Sequence, residues 1–182
     1  MKLITIRHGL TPSNQAGILQ GQRVDDKLSP EGHQQAERLA QEIGEKSESV
    51  AAIYSSPLRR TKETAEYVSK VLGLPIIEKE EIKERDFGTL SGKTWSEIPE
   101  NKDNQLKQKD KAFVYDYRPF GGESVSQVRQ RLQSFLEFVR QKHEAENIIC
   151  VTHGGILRLL YDELRQTQPK ELPPGSVHIF NI

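Results

Sequence analysis

Cysteine occurs once in this chain, as Cys150 inside an apolar run, which excludes an intrachain disulfide framework and points to a reducing, cytoplasmic setting. Those apolar neighbours also make Cys150 a poor candidate nucleophile. Excess charge is missing as well: 26 basic residues balance 26 acidic ones, removing the bulk attraction that a nucleic-acid or anionic-membrane partner would need. No basic-then-apolar leader opens the chain and no stretch approaches about 18 apolar residues, so neither export by that route nor a membrane span is expected. Repeats and low-complexity tracts are absent. What is present is 182 residues, enough for a single domain over 1–182 that buries about 70% of its unfolded surface.

Apolar runs and helical periodicities alternate along it. Lys2–Ile6 reads as a first strand, followed by a Gly-rich polar loop to Leu28. Ser29-Pro30 then opens a helix whose Ala36, Leu39, Ala40 and Ile43 recur at helical spacing, with Ser29 as N-cap. Val50–Tyr54 reads as a buried strand. Ser56-Pro57 repeats the cap-and-proline signal before a helix ending near Gly73, which suits a left-handed C-terminal position. Leu74–Ile77 is a third strand. Ser124 and Gln127 form a capping box ahead of a stripe of Val125, Val128, Leu132, Phe135, Leu136 and Val139. A strand ending at Thr152, a helix carrying Ile156 through Leu164 and a strand near Val177–Phe180 complete the pattern. Strands alternating with helices imply a three-layer α/β/α sandwich around a mostly parallel sheet. Residues 93–120 are charged and sparse in aliphatic side chains, and read as a lid or specificity insertion whose Trp95, Lys102, Tyr115, Tyr117 and Arg118 line the entrance.

In such a sheet ligands sit beyond the carboxyl ends of the strands. There the chain places Arg7-His8-Gly9 after the first strand, Ser55 to Arg60 after the second, and His153-Gly154-Gly155 after the late one. Two histidines and two arginines converge, and the paired glycines leave amides bare at a helix start, a combination that favours phosphate. Helical phase sets Arg60 with Thr64, Tyr67 and Val71 at the border of the apolar stripe, whereas Arg59 aligns with Lys62, Glu63, Glu66 and Lys70 on a solvated face. Arg60 therefore points inward. The neighbouring guanidiniums should hold His8 neutral, as a nucleophile requires, with its other ring nitrogen donating to a backbone carbonyl. His33 is structural on this reading, and His143 and His178 have no comparable company.

The chain resembles the histidine phosphatase superfamily, the phosphoglycerate mutase-like group, over nearly its whole length. The resemblance rests on Arg7-His8-Gly9, Asn14, Gln20-Gly21, Ser55 to Thr61 through Thr64-Ala65, Glu84 before Phe87-Gly88, Gly122-Glu123-Ser124 and Thr152-His153-Gly154. It implies a two-step phosphoryl transfer. His8 becomes a phosphohistidine, Arg7, Arg60 and His153 hold the phosphoryl oxygens, and Asn14, Gln20, Gly21 and the Gly154 amide support substrate binding. Glu84 matches the proton donor, and beside a phosphate dianion its pKa should be raised. Glu123 is placed to orient the arginines of the site.

Mutases of this group resemble longer chains with a C-terminal tail over the site. This chain stops at Ile182, so hydrolysis of the phosphoenzyme is the expectation and a cofactor-dependent phosphoglycerate mutase the alternative. A metallohydrolase fits poorly, because Arg7 beside His8 and Arg60 nearby would repel a divalent ion and no His-x-His or His-Glu-x-x-His spacing occurs. A phosphate-binding module without turnover is the third class. The expected substrate is a small phosphorylated metabolite (a sugar phosphate, a phosphoglycerate or an α-ribazole phosphate), with no metal or other cofactor. A monomer and a homodimer fit equally well.

Overall fold

A computed structural model of the protein describes residues 1–46, 49–101 and 104–182; Lys102, expected at the entrance, lies outside the described residues. Five strands, β1 (Lys2–Arg7), β2 (Val50–Ser55), β3 (Ile76–Glu78), β4 (Asn147–Thr152) and β5 (Val177–Asn181), form one sheet in the order β3-β2-β4-β1-β5. All neighbours run parallel except β5, which is antiparallel to β1. The helices are α1 (Pro12–Gln15), α2 (Pro30–Lys46), α3 (Arg59–Leu72), α4 (Gln105–Lys111), α5 (Val125–Lys142) and α6 (Gly154–Glu163).

Alternate strand residues feed two cores, as the two-residue period of a strand requires. Ile4, Ile6, Ile53, Ile149 and Val151 join Leu39, Ala40 and Ile43 of α2 and Ala65 and Val68 of α3. Leu3, Tyr54, Ile148 and Cys150 join Leu132 and Phe135 of α5 and Ile156 and Leu160 of α6. The unbroken apolar run of β4 is what a strand covered on both faces needs. This is the expected three-layer α/β/α sandwich.

The punctuation signals fall into place with two exceptions. Ser29 Oγ accepts from Gly32 N at 3.1 Å. Ser124 and Gln127 close a capping box, and Gly73 ends α3 at φ 68°. The polar loop after β1, by contrast, contains α1, capped by a reciprocal Thr11–Asn14 pair. Ser56 caps no amide of α3, its Oγ accepting only from Leu58 N at 3.3 Å ahead of the helix. Helix α3 begins at Arg59 behind Leu58, and the Ser56 hydroxyl serves His153 instead.

The described residues of 93–120 fold as α4 with short 3₁₀ turns, and their aromatic residues go inward rather than to an entrance. Tyr115 and Tyr117 are buried and stacked at 5.1 Å. Trp95 lies edge-on to Phe87, and exposed Arg118 pairs with Asp116 at 2.7 Å. Asp116 bridges Ser124 in antiparallel fashion, so the local backbone is extended and sends alternate residues to opposite sides. That is why Tyr115 and Tyr117 face inward together.

Candidate active site

Parallel pairing brings the carboxyl ends of β1, β4 and β2 side by side, with Arg7 opposite Thr152 and Ser55 opposite Val151. The residues that follow each strand therefore share one crevice. His8 and His153, 145 positions apart, have ring centroids 5.3 Å from each other.

His8 is nearly fully buried, and its Nδ1 lies 2.7 Å from the carbonyl oxygen of Gly9. A carbonyl only accepts, so Nδ1 carries the proton and Nε2 keeps a free lone pair. Burial, then the charges of Arg60 and Arg7, hold its pKa well below the usual histidine value. The arginine effect was expected, but burial is the larger cause. His153 has no exposed surface. Its Nε2 is 2.8 Å from Ser56 Oγ, and burial followed by Arg60 pushes its pKa down as well.

Arg60 is 1% exposed, whereas Arg59 lies outside and pairs with Glu63 at 2.8 Å. Arg60 Nη2 donates to the Gly21 carbonyl at 2.8 Å, and Nη1 to that of Val24 at 3.2 Å. Gly21 itself sits at φ 55°, where a Cβ would come within 3.0 Å of the Arg85 carbonyl oxygen, so a larger residue would displace this anchor. Arg7 donates through Nη1 to the Leu172 carbonyl and lies against Gly154. Arg7 Nε, Arg60 Nε and His153 Nδ1 are buried with no hydrogen-bond partner in the protein. Buried polar groups are normally paired, so two such arginine nitrogens on residues that line one pocket point to a ligand with acceptor oxygens. Arg7, His8, Asn14, Gln20, Gly21, Arg60 and Glu84 line that pocket, of about 130 Å³.

The structure supplies what the sequence missed, namely the partners of Glu84. Its Oε2 accepts from the Gly155 amide at 3.0 Å, and its Oε1 from Arg85 N at 2.9 Å and Arg85 Nη1 at 3.0 Å. Arg85 is gripped in turn by Asp110 of α4 through two bonds of 2.8 and 3.0 Å. Asp110 also takes bonds from Arg158 and the Tyr117 hydroxyl. Without a phosphate beside it, burial favours the neutral form of Glu84, but the Arg85 charge and the two backbone amides outweigh it and hold the pKa below the ordinary glutamate value. The second glycine of His153-Gly154-Gly155 has its reason here, because a Cβ on Gly155 would overlap Arg85 Nη1 and Glu84 Oε1. Glu123 does not contact Arg7 or Arg60. It bonds Arg131, Gln22 and the Asp86 amide, and Arg131 reaches the Glu84 carbonyl, so it braces the segment that carries Glu84.

Asp110 is 3% exposed and carries two guanidiniums. Removing one partner of a buried ionic cluster costs about 3–5 kcal/mol, so Asp110→Ala should lower the melting temperature by roughly 10 °C in a domain of this size. A calorimetric shift of a degree or two would show that Arg85 and Arg158 find other partners.

The remaining titratable candidates are structural. His143 bonds Tyr54 and Glu146, His178 bonds Tyr161 and Ser176, and His33 meets Tyr67 at 3.2 Å. Burial raises the Cys150 thiol far above the range in which a thiolate forms.

A buried neutral imidazole, a second imidazole and two guanidiniums at the strand ends, with a carboxylate at a helix start, define a site for phosphoryl transfer through histidine. The chain belongs to the histidine phosphatase superfamily (branch 1), matching it over residues 3–181. It is 39% identical to a metal-independent phosphoserine phosphatase of Arabidopsis thaliana, aligned over 100% of this chain and 76% of that protein. A 2,3-bisphosphoglycerate-dependent phosphoglycerate mutase of Parvibaculum lavamentivorans is 32% identical over 91% of this chain and 82% of its own. The crystal structure of phosphoglycerate mutase from Thermus thermophilus superposes with a TM-score of 0.78 at 31% identity, covering 98% of this chain and 92% of that one.

Proposed function

We propose that this chain is a phosphomonoester hydrolase that works through a phosphohistidine at His8 and acts on a small phosphorylated metabolite. What carries this reading is His8 itself, locked by Gly9 so that Nε2 is free, in a pocket lined by Arg7 and Arg60 with their unpaired buried nitrogens, and with the His153 ring 5.3 Å away. In the first step the Nε2 lone pair bonds to phosphorus, the ester P–O bond breaks, and the departing oxygen takes a proton from Glu84. In the second, water attacks the phosphohistidine, Glu84 receives the water's proton, and the P–N bond breaks to release phosphate. Arg7 and Arg60, permanently charged, stabilise the charge on the equatorial oxygens in both steps. Both arginines beside the two histidines also disfavour a divalent cation there, and the Arabidopsis relative is named as metal-independent. A reducing cytoplasmic setting fits the buried single thiol, and no helix among the described residues is long and apolar enough to cross a membrane.

The lowered pKa of Glu84 has a kinetic consequence. With its carboxylate ionised before binding, the proton for the leaving group enters with the substrate, as the ester monoanion, whose second pKa is about 6. On the acid side His8 stays neutral well below the ordinary histidine value. The expected profile of kcat/KM is therefore highest on the acid side of neutrality and falls above about pH 6. Activity that declines as pH drops through about 6.5 would show instead that His8 titrates as an ordinary histidine.

Incubation with 3-phosphoglycerate separates hydrolase from mutase. Release of inorganic phosphate is expected. Rapid interconversion to the 2-isomer without phosphate release would make the chain a mutase.

A further inference from the structure

Ser56 lies between β2 and α3, has no exposed surface and takes no part in the chemistry above. Its backbone is pinned on both sides. The amide donates to the Val151 carbonyl at 3.0 Å, and the carbonyl accepts from the Ser55 and Thr61 hydroxyls, each at 2.9 Å. The side chain is thereby delivered to one place, where Oγ lies 2.8 Å from His153 Nε2 and accepts from Leu58 N at 3.3 Å. The other ring nitrogen, His153 Nδ1, is buried with no partner in the protein. Burial and the Arg60 charge keep His153 neutral, so its ring carries a single proton. With that proton on Nε2, the Ser56 oxygen would accept twice, its own proton would have no acceptor among the described residues, and a bare lone pair would stand at Nδ1. With the proton on Nδ1, each atom has one role: Leu58 N donates to Oγ, the hydroxyl donates to Nε2, and Nδ1 is left as a donor.

We propose that Ser56 is a positioning residue: its hydroxyl donates to His153 Nε2 and so fixes the tautomer in which Nδ1–H donates to the phosphoryl group carried by His8. The assignment rests on the reading of His8 as the phosphoryl carrier. The two ring centroids are 5.3 Å apart, which puts a group on His8 Nε2 within reach of the second ring. Two different backbone settings then give two buried, neutral imidazoles opposite tasks. The Gly9 carbonyl, which only accepts, leaves His8 with a bare nitrogen for attack, whereas the Ser56 hydroxyl leaves His153 with a proton to donate.

The test reads the tautomer directly and then asks whether Ser56 acts through His153. Long-range ¹H–¹⁵N correlation spectra of the full chain with ¹⁵N-labelled histidine tell a protonated ring nitrogen from a bare one, and His153→Ala identifies the signals of that ring. In the wild type at neutral pH, His153 is expected to carry its proton on Nδ1. In Ser56→Ala the proton should move in part or wholly to Nε2, while the His8 signals stay as they were and show that the pocket is intact. A proton on Nε2 in the wild type, or His153 signals unchanged in Ser56→Ala, would overturn the proposal. In turnover of a phosphomonoester, Ser56→Ala should lower kcat/KM about tenfold to a hundredfold, the cost of leaving a buried ring nitrogen without its partner. In a His153→Ala background the same substitution should cost less than twofold, because the group it acts on is gone. A loss of equal size in both backgrounds would make Ser56 a structural residue of the β2–α3 connection and overturn its action through His153. Failure of the wild type to hydrolyse phosphomonoesters would overturn the phosphatase reading and the donor role of Nδ1 with it, and the spectra decide the Ser56–His153 bond in either case.

Discussion

His8→Ala should lower kcat/KM for every phosphomonoester by about four orders of magnitude, because no other group in the pocket can form the covalent intermediate. Cys150 is buried among apolar side chains, and His153 is fixed against Ser56 with its pKa pushed down by burial. The variant should still bind inorganic phosphate, since Arg7, Arg60 and His153 remain in place. Retained phosphate binding distinguishes loss of the nucleophile from loss of the fold. Turnover reduced less than tenfold would mean that water attacks phosphorus directly and that His8 only helps to hold the substrate.

Glu84→Gln is expected to have the second largest effect, and its size should depend on the ester. The amide preserves the shape of the carboxyl group, but its single oxygen can accept from Arg85 N or from Gly155 N and not from both, so the melting temperature must be compared with that of the wild type before the kinetics are read. What it cannot do is transfer a proton. For an alkyl ester, whose departing alkoxide needs that proton, kcat should fall by about 10²–10⁴-fold. For p-nitrophenyl phosphate, whose phenolate leaves unaided, the first step should be nearly normal and the second slow. Rapid mixing should then show a burst of one nitrophenolate per site followed by a slow phase. Equal losses on both esters without a burst would assign proton transfer to another group and leave Glu84 a purely structural partner of Arg85.

Much of this arrangement was legible in the residues, and the pattern of what was not is physical. His8 and His153 stood out because a parallel sheet gathers the carboxyl ends of its strands, a property of topology that alternating strand and helix signals reveal. Arg60 and Arg59 were separable because an amphipathic helix sorts adjacent residues onto different faces, and the structure leaves Arg60 1% exposed. Local capping chemistry fixed Ser124, Gln127 and Gly73 in the same way. Arg85 was invisible because its meaning depends on Asp110, 25 residues away and on a different element. Within the charged run from Glu78 to Asp86, no periodicity marks one charge as buried. Ser56 was misread because a serine before proline signals a helix start equally well whether or not its hydroxyl is spoken for by a distant histidine. The inward turn of Tyr115 and Tyr117 had a signal, their spacing of two around exposed Asp116, which is strand-like rather than helical.

The same long-range pairing sets the state of Glu84 before substrate binds. A carboxyl group read against a phosphate dianion alone should be hard to ionise. Held by Arg85 and by the start of α6, it is ionised before substrate arrives, and substrate must bring the proton. The acid and base roles proposed for Glu84 thus depend on a cluster that spans α4, α6 and the segment between β3 and α4.

The central claim is that His8 carries the phosphoryl group between substrate and water. Quenching the wild-type protein in alkali within milliseconds of mixing with a ³²P-labelled phosphomonoester, followed by peptide mapping, tests it most directly. The predicted result is label on the peptide containing His8, stable in alkali, released by mild acid and absent from His8→Ala. Substrate consumed with no label at His8, or label resistant to acid on another residue, would contradict it.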